Sequence, residues 1–181
     1  MTDVLDCFPE VADIDDPDLR GRVRDCWALA CDGSGVSNLA AVPWLPPVQR
    51  DLGIDDETLV GHVRDVVAGA RGLADALEAS RGAAVDRDLL VAGALVHDVS
   101  KLAEFDGMGA TDTYDLLGHP YYGVHYTAAA GLPVEYAHIV LSHTSRTRVE
   151  PAFLEAELIR RADEVAAAAI RLTAVDDLRD A

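Results

Sequence analysis

The chain has 181 residues, half of them hydrophobic but only 6% aromatic, and a formal net charge of -17. That length supports one well-buried domain, and alanine, valine and leucine in place of aromatics favour close-packed helices over a β-sandwich. A field of this sign repels the nucleic-acid backbone and anionic lipid, which excludes a general role on either.

The start of the chain is acidic and lacks a long apolar core, so no signal peptide is expected. No apolar run approaches the roughly 20 residues that span a bilayer, and a cytoplasmic protein follows. Cys7, Cys26 and Cys31 are odd in number and lack a Cys-x-x-Cys spacing, which reads as buried thiols. Pro17 opens a first helix over Asp18–Ala30, and Asp32-Gly-Ser-Gly35 breaks it. Val42-Pro-Trp-Leu-Pro-Pro47 reads as rigid and extended, because proline restricts the residue before it.

Asp55, Asp56 and Glu57 put negative charge at the start of a long helix reaching about Ala79. Leu59, His62, Val66 and Leu73 fall on one of its faces. A further helix runs from near Asp86 to His97-Asp98, with Leu90, Gly93, Ala94 and His97 together. Glu104 to Leu117 is polar and reads as a loop with a short helix at most. His119-Pro120 starts a helix to about Ala130, stopped by Gly131 and Pro133. Val134 to Ser145 forms another, with Tyr136, Ile139, Val140 and His143 on one side. Pro151 opens the last long helix, where Ile159, Asp163, Ala166 and Ile170 share a stripe. Strand-type alternation is absent, and the expected fold is all-α.

A lone histidine on an apolar helix face is more often a hydrogen-bonded core residue than a ligand. Here His62, His97, His143 and Asp163 each sit in the apolar stripe of a different helix, and one shared metal explains them better than four separate rescues. Asp98 follows His97 at a helix end, where its two oxygens can bridge two ions. Imidazole with carboxylate suits manganese, iron, cobalt, nickel or zinc better than calcium. The set contains no cysteine, which argues for an open, water-bearing site over a closed structural zinc.

The order His62…His97-Asp98…His119…His143…Asp163 resembles the HD-domain superfamily of metal-dependent phosphohydrolases, over roughly Leu59 to Ala169. The resemblance implies a first metal on His62, His97, Asp98 and Asp163. His119-Pro-Tyr-Tyr-Gly123 and Ser142-His143 look like the insert of two-metal members, which implies a second ion on His119 and His143 with Asp98 shared. His97-Asp-Val-Ser-Lys101 is similar to the family's His-Asp-x-x-Lys, whose lysine faces substrate phosphate. The implied architecture is a single-domain helical bundle: residues 57–175 form the metal-binding unit, and residues 1–56 pack a helix and the Pro-rich segment on it. The Gly-Tyr-Pro motif and paired histidine of the branch that cleaves cyclic dinucleotides are missing, which argues against that activity.

The expected function is hydrolysis of a small phosphomonoester or nucleotide by a metal-activated water, with one or two divalent transition-metal ions. Asp98 and Lys101 are the catalytic candidates. Lys101, Arg146, Arg148 and His125 are the substrate-binding ones; His138 reads as structural. Lys101 is the chain's only lysine, and a compact ammonium offers donors that a rigid guanidinium does not copy. Two other functions use the same ligands: a di-iron oxygenase acting on a C–H bond, for which Tyr121, Tyr122 and Tyr126 lie near in sequence, and a catalytically silent nucleotide-binding regulator. The partner is a small phosphorylated molecule, not nucleic acid or membrane, and a homo-oligomer is compatible. The net charge fits either arginine-for-lysine replacement in a GC-rich genome or a halophilic-type acidic surface. We take the second, because such charge destabilises the compact state unless salt screens it.

Overall fold

Capping chemistry sets the ends of several of the helices, and the computed structural model describes residues 4–180. A short helix α1 (Val4–Cys7) and a 3-10 turn over Pro9–Asp13 lead into α2 (Pro17–Ser34). The Asp16 carboxylate accepts from the Asp18 and Leu19 amides at its start, and Gly35 closes it at a left-handed φ of 69°. The short α3 spans Pro46–Leu52. Thr58 caps α4 (Leu59–Arg81) through the Gly61 amide. Asp86 caps α5 (Arg87–Val96) through the Leu89 amide. After α6 (Lys101–Glu104) come β1 (Phe105–Asp106) and β2 (Gly109–Ala110), then α7 (Asp112–Leu116), α8 (His119–Ala129), α9 (Val134–Ser142) and α10 (Leu154–Arg171). The fold is all-α apart from that two-strand antiparallel pair, and no helix among the described residues is long and apolar enough to cross a membrane.

One apolar core joins both parts of the chain. Phe8 packs on Trp27 at 4.8 Å between ring centroids, and the Trp27 indole N–H donates to Leu95 O at 3.0 Å, filling one of the open carbonyls near the end of α5. Leu90 to Leu102 is buried throughout, so the turn after α5 lies at the centre of the molecule. Cys7, Cys26 and Cys31 are buried, and burial pushes the Cys26 thiol up to about 12.

Several boundaries differ from the sequence reading. Pro46 begins a helix instead of prolonging an extended segment, because a proline in the first turn gives up an N–H that has no helical partner anyway. Glu104 to Leu117 contains the strand pair and α7, too short to leave a periodic signal. The helix expected to reach Ser145 stops at Ser142. Pro151 lies three residues before α10, since the Ala152 amide donates to His138 Nε2 at 3.0 Å, and this gives His138 its structural role. Leu73 is 39% exposed, at the edge of a groove that Ala162, Ala166 and Ala169 line together with Arg161 and Val165 of α10.

Close packing of α8 on α9 sets the separation of two of the candidate ligands. A Cβ on Gly123 would collide with Val140 Cγ1 and come within 2.9 Å of Ser100 Oγ, which donates to His119 O at 2.6 Å. Gly123→Ala is expected to cost about 1–3 kcal/mol by overpacking. At about 2–4 °C per kcal/mol for a chain of this size, thermal unfolding should show a drop of several degrees. A Tm equal to or above the parent's contradicts this account of the contact.

Candidate metal centre

Four of the six candidate ligands stand at helix ends, where the backbone supplies part of their geometry. His97 follows the last residue of α5, and its Nδ1 donates to Ala94 O at 2.7 Å. His143 follows α9 in the same way, its Nδ1 donating to Val140 O at 2.8 Å. In both, the imidazole satisfies an orphan carbonyl of its own helix end. A carbonyl only accepts, so the proton sits on Nδ1 and each Nε2 is left as a lone pair facing inward. His119, the first residue of α8, reaches the same state through Glu104: Oε2 lies 3.0 Å from its Nδ1, and Oε1 accepts its backbone N–H at 2.6 Å. His62 projects from the first turn of α4 and Asp163 from the middle of α10.

Asp98 lies at the centre of the six. Its Oδ2 is 3.4 Å from His62 Nε2 and 3.3 Å from His97 Nε2, and Asp163 Oδ1 closes that group at 3.0 Å from His62 Nε2. Its Oδ1 faces the other pair, at 3.3 Å from His119 Nε2 and 3.5 Å from His143 Nε2. Two clusters thus share one carboxylate, and within each the ligand atoms lie within 4.8 Å of one another.

The electrostatics of this cluster ask for cations. His119 Nε2 and His143 Nε2 approach to 3.3 Å with both protons committed to the far nitrogens, so two lone pairs confront each other. His97 Nε2 and Asp98 Oδ1 are fully buried and have no hydrogen-bond partner among the described residues, an arrangement that costs about 1–3 kcal/mol for each neutral group and more for a charge. A divalent ion on either side converts these costs into ligation, and the donor set of nitrogens and carboxylate oxygens fits it. Burial works against ionising Asp98, but the Lys101 ammonium, 2.6 Å from Oδ2, holds its carboxyl well below the usual range. Asp163 is likewise brought down to about 2, burial being outweighed chiefly by the His62 hydrogen bond at 3.0 Å. Both stay anionic and ready to bind metal. Burial lowers the His119 pKa further than Glu104 raises it, which favours the neutral, ligating imidazole.

A small cleft of about 190 Å³ opens over the cluster, lined by Asp98, Lys101, His119, His143 and Asp163 together with Trp44, Leu45, Thr144, Arg146, Ala167 and Arg171. Lys101 Nζ is 2.6 Å from Asp98 Oδ2. Arg146 stands at the rim, 3.3 Å from Glu104 Oε1 and stacked over Tyr114. Two substrate-binding candidates lie outside this lining. His125 is exposed on α8, packed beside the Tyr122 and Tyr126 rings; it is one and a half turns beyond His119 and so emerges on another side of the helix. Arg148 is exposed in the segment after α9, past the bend that turns Arg146 inward. Tyr121, Tyr122 and Tyr126 are also absent from the cleft wall, so the oxygenase alternative is left with the shared ligand set alone. Glu104, Trp44 and Arg171 escaped the sequence reading. Nothing local in the sequence marks any of the three.

Glu104 fixes the tautomer of a single ligand, so its loss should be felt on one side of the centre. Glu104→Gln can still accept the His119 backbone N–H but presents no second carboxylate oxygen to Nδ1. Metal titration should show the His119–His143 side weakened about 10–100-fold and the His62–His97–Asp163 side unchanged. Equal binding on both sides, as in the parent, would remove Glu104 from the design.

Residues 59–168 match the family model for the HD domain. Dihydroneopterin 2',3'-cyclic phosphate phosphodiesterase of Methanocaldococcus jannaschii is 34% identical over 111 residues, which cover 59% of this chain and 45% of the relative. The chain therefore spans less than half the length of that curated relative. No solved structure matches it.

Proposed function

Because the chain belongs to the HD-domain family, we propose that it is a metal-dependent hydrolase of small phosphoesters, with two divalent transition-metal ions sharing Asp98. The observation that carries this reading is the division of Asp98: one oxygen toward His62, His97 and Asp163, the other toward His119 and His143. A bound divalent ion supplies Lewis acidity, polarising a phosphoryl oxygen and acidifying a water molecule. In the hydrolysis, water oxygen bonds to phosphorus, the ester P–O bond breaks, and the alcohol leaves with a proton.

The chain's own residues supply the rest. Six side chains, most of them fixed by helix ends and one by Glu104, keep the reacting centre preorganised, so little is lost to reorganisation. Lys101, buried beside Asp98, offers its ammonium to a non-bridging phosphate oxygen, and Arg146 and Thr144 border the entrance. The cleft is small, which suits a phosphoryl group with the rest of the substrate outside. The relative's cyclic phosphodiester makes 2',3'-cyclic phosphates the first diesters to assay beside phosphomonoesters and nucleotides. Asp98 and Lys101 remain the catalytic pair in this reading, with manganese, iron, cobalt, nickel and zinc the metals to try.

The experiment is a phosphoester panel run on protein loaded with each metal, at high salt to screen the net charge against an anionic substrate. Phosphate or phosphomonoester product is expected with at least one metal, and Lys101→Ala should weaken substrate binding while leaving metal content intact. Absence of hydrolysis with all of them, together with oxygen consumption by the iron form, would replace this reading with the oxygenase. Tight nucleotide binding without turnover would replace it with the regulator.

A further inference from the structure

Three cations line the cleft, and they differ in what already holds them. Lys101 is ion-paired with Asp98 and Arg146 with Glu104. Arg171 has no carboxylate partner among the described residues, although the chain carries 32 acidic side chains. Its guanidinium instead lies over the Trp44 ring, 5.4 Å from the centroid, and Lys101 Nζ is 5.8 Å from the same ring.

The ordinary account of an arginine in a helix's last turn is the helix dipole. That account does not explain why this one folds over an aromatic at the wall of the metal cleft. Arg171 follows Asp163 and Ala167 at four-residue spacing, so all three share a face of α10, and helical side chains lean toward the N-terminus. The guanidinium is therefore directed back along the helix toward the ligand Asp163. Trp44 is 1% exposed, lines the cleft, and lies against His62 at 5.4 Å between ring centroids. Its indole N–H is buried with no acceptor among the described residues. Stacking holds a guanidinium in place without consuming its N–H donors.

We infer that Arg171, held on the face of Trp44, is the principal phosphate-recognition residue of the cleft, taking the non-bridging oxygens of the substrate's phosphoryl group. It is the cleft cation that can accept an anion without first breaking an ion pair. Both residues fall outside the segment that matches the HD domain, so this subsite belongs to the flanking parts of the chain: the segment before α4 and the last turn of α10. Trp44 acts through Arg171 as a positioning residue. The inference rests on the phosphoester reading above and narrows it to substrates whose phosphate is terminal or exposed enough to meet a planar guanidinium.

The test is binding of inorganic phosphate to the metal-loaded full chain by calorimetry, alongside metal content and steady-state hydrolysis. Arg171→Ala should weaken phosphate binding about ten- to a hundredfold and raise KM by a similar factor, with kcat less affected and metal content unchanged. Arg171→Lys should recover part of the loss, and Trp44→Phe, which keeps a ring under the guanidinium, most of the affinity. Arg171→Ala binding phosphate as tightly as an active parent overturns this inference alone, and so does a variant that loses its metal. A parent that neither binds phosphate nor hydrolyses any ester overturns the functional reading with it.

Discussion

Replacing Asp98 with asparagine should remove both metal ions and all hydrolysis in one step. The side chain keeps its volume, so the loss does not come from a cavity, but an amide offers one neutral oxygen where two anionic ones served His62, His97 and Asp163 on one side and His119 and His143 on the other. Residues that merely orient a metal ligand are worth about 10–100-fold in affinity or activity; the shared ligand should exceed both, with activity at least about a thousandfold down. Elemental analysis and far-ultraviolet circular dichroism on the same sample separate ligand loss from unfolding. A folded Asp98→Asn protein with full metal content would sink the bridging assignment.

Stripping the metals from the parent should lower its stability as well as its activity. The centre leaves lone pairs of His97, His119 and His143 and an unpartnered Asp98 oxygen inside the protein, so the metal-free state carries unpaired polar atoms that ligation removes. An ion present at 100–1,000 times its Kd stabilises the native state by about 3–4 kcal/mol. At about 2–4 °C per kcal/mol, chelation should lower Tm by about 6–16 °C, and readdition of metal should restore both Tm and turnover. A chelated protein that melts where the loaded one does would mean that the cluster is an ordinary polar core.

Much of this centre was legible in the sequence because its ligands are costly residues in apolar stripes. His62, His97, His143 and Asp163 stand out against the valines and alanines beside them, and the order of the six residues suggested a shared site before any distance was known. The long helices were legible from their stripes and from Pro17, Gly35 and Asp86 at their ends, which are local chemistry. What could not be read depends on tertiary approach. Arg171 looks like a dipole-compensating residue until Trp44 is known to lie under it, and Glu104 looks like one more surface acid. Arg148 and His125 were attractive by proximity in sequence, yet the bend after α9 and the pitch of α8 carry them away. The short strands at Phe105–Asp106 and Gly109–Ala110 are too brief to alternate visibly.

The number of ions in the centre decides whether Asp98 is shared. Reconstituted with manganese, cobalt, nickel or iron and freed of excess metal, the protein should hold two ions per chain by elemental analysis. The second should be lost selectively when His119 and His143 are both replaced by alanine. A firm value of one per chain in the parent, unchanged by that double substitution, would contradict the shared-carboxylate centre.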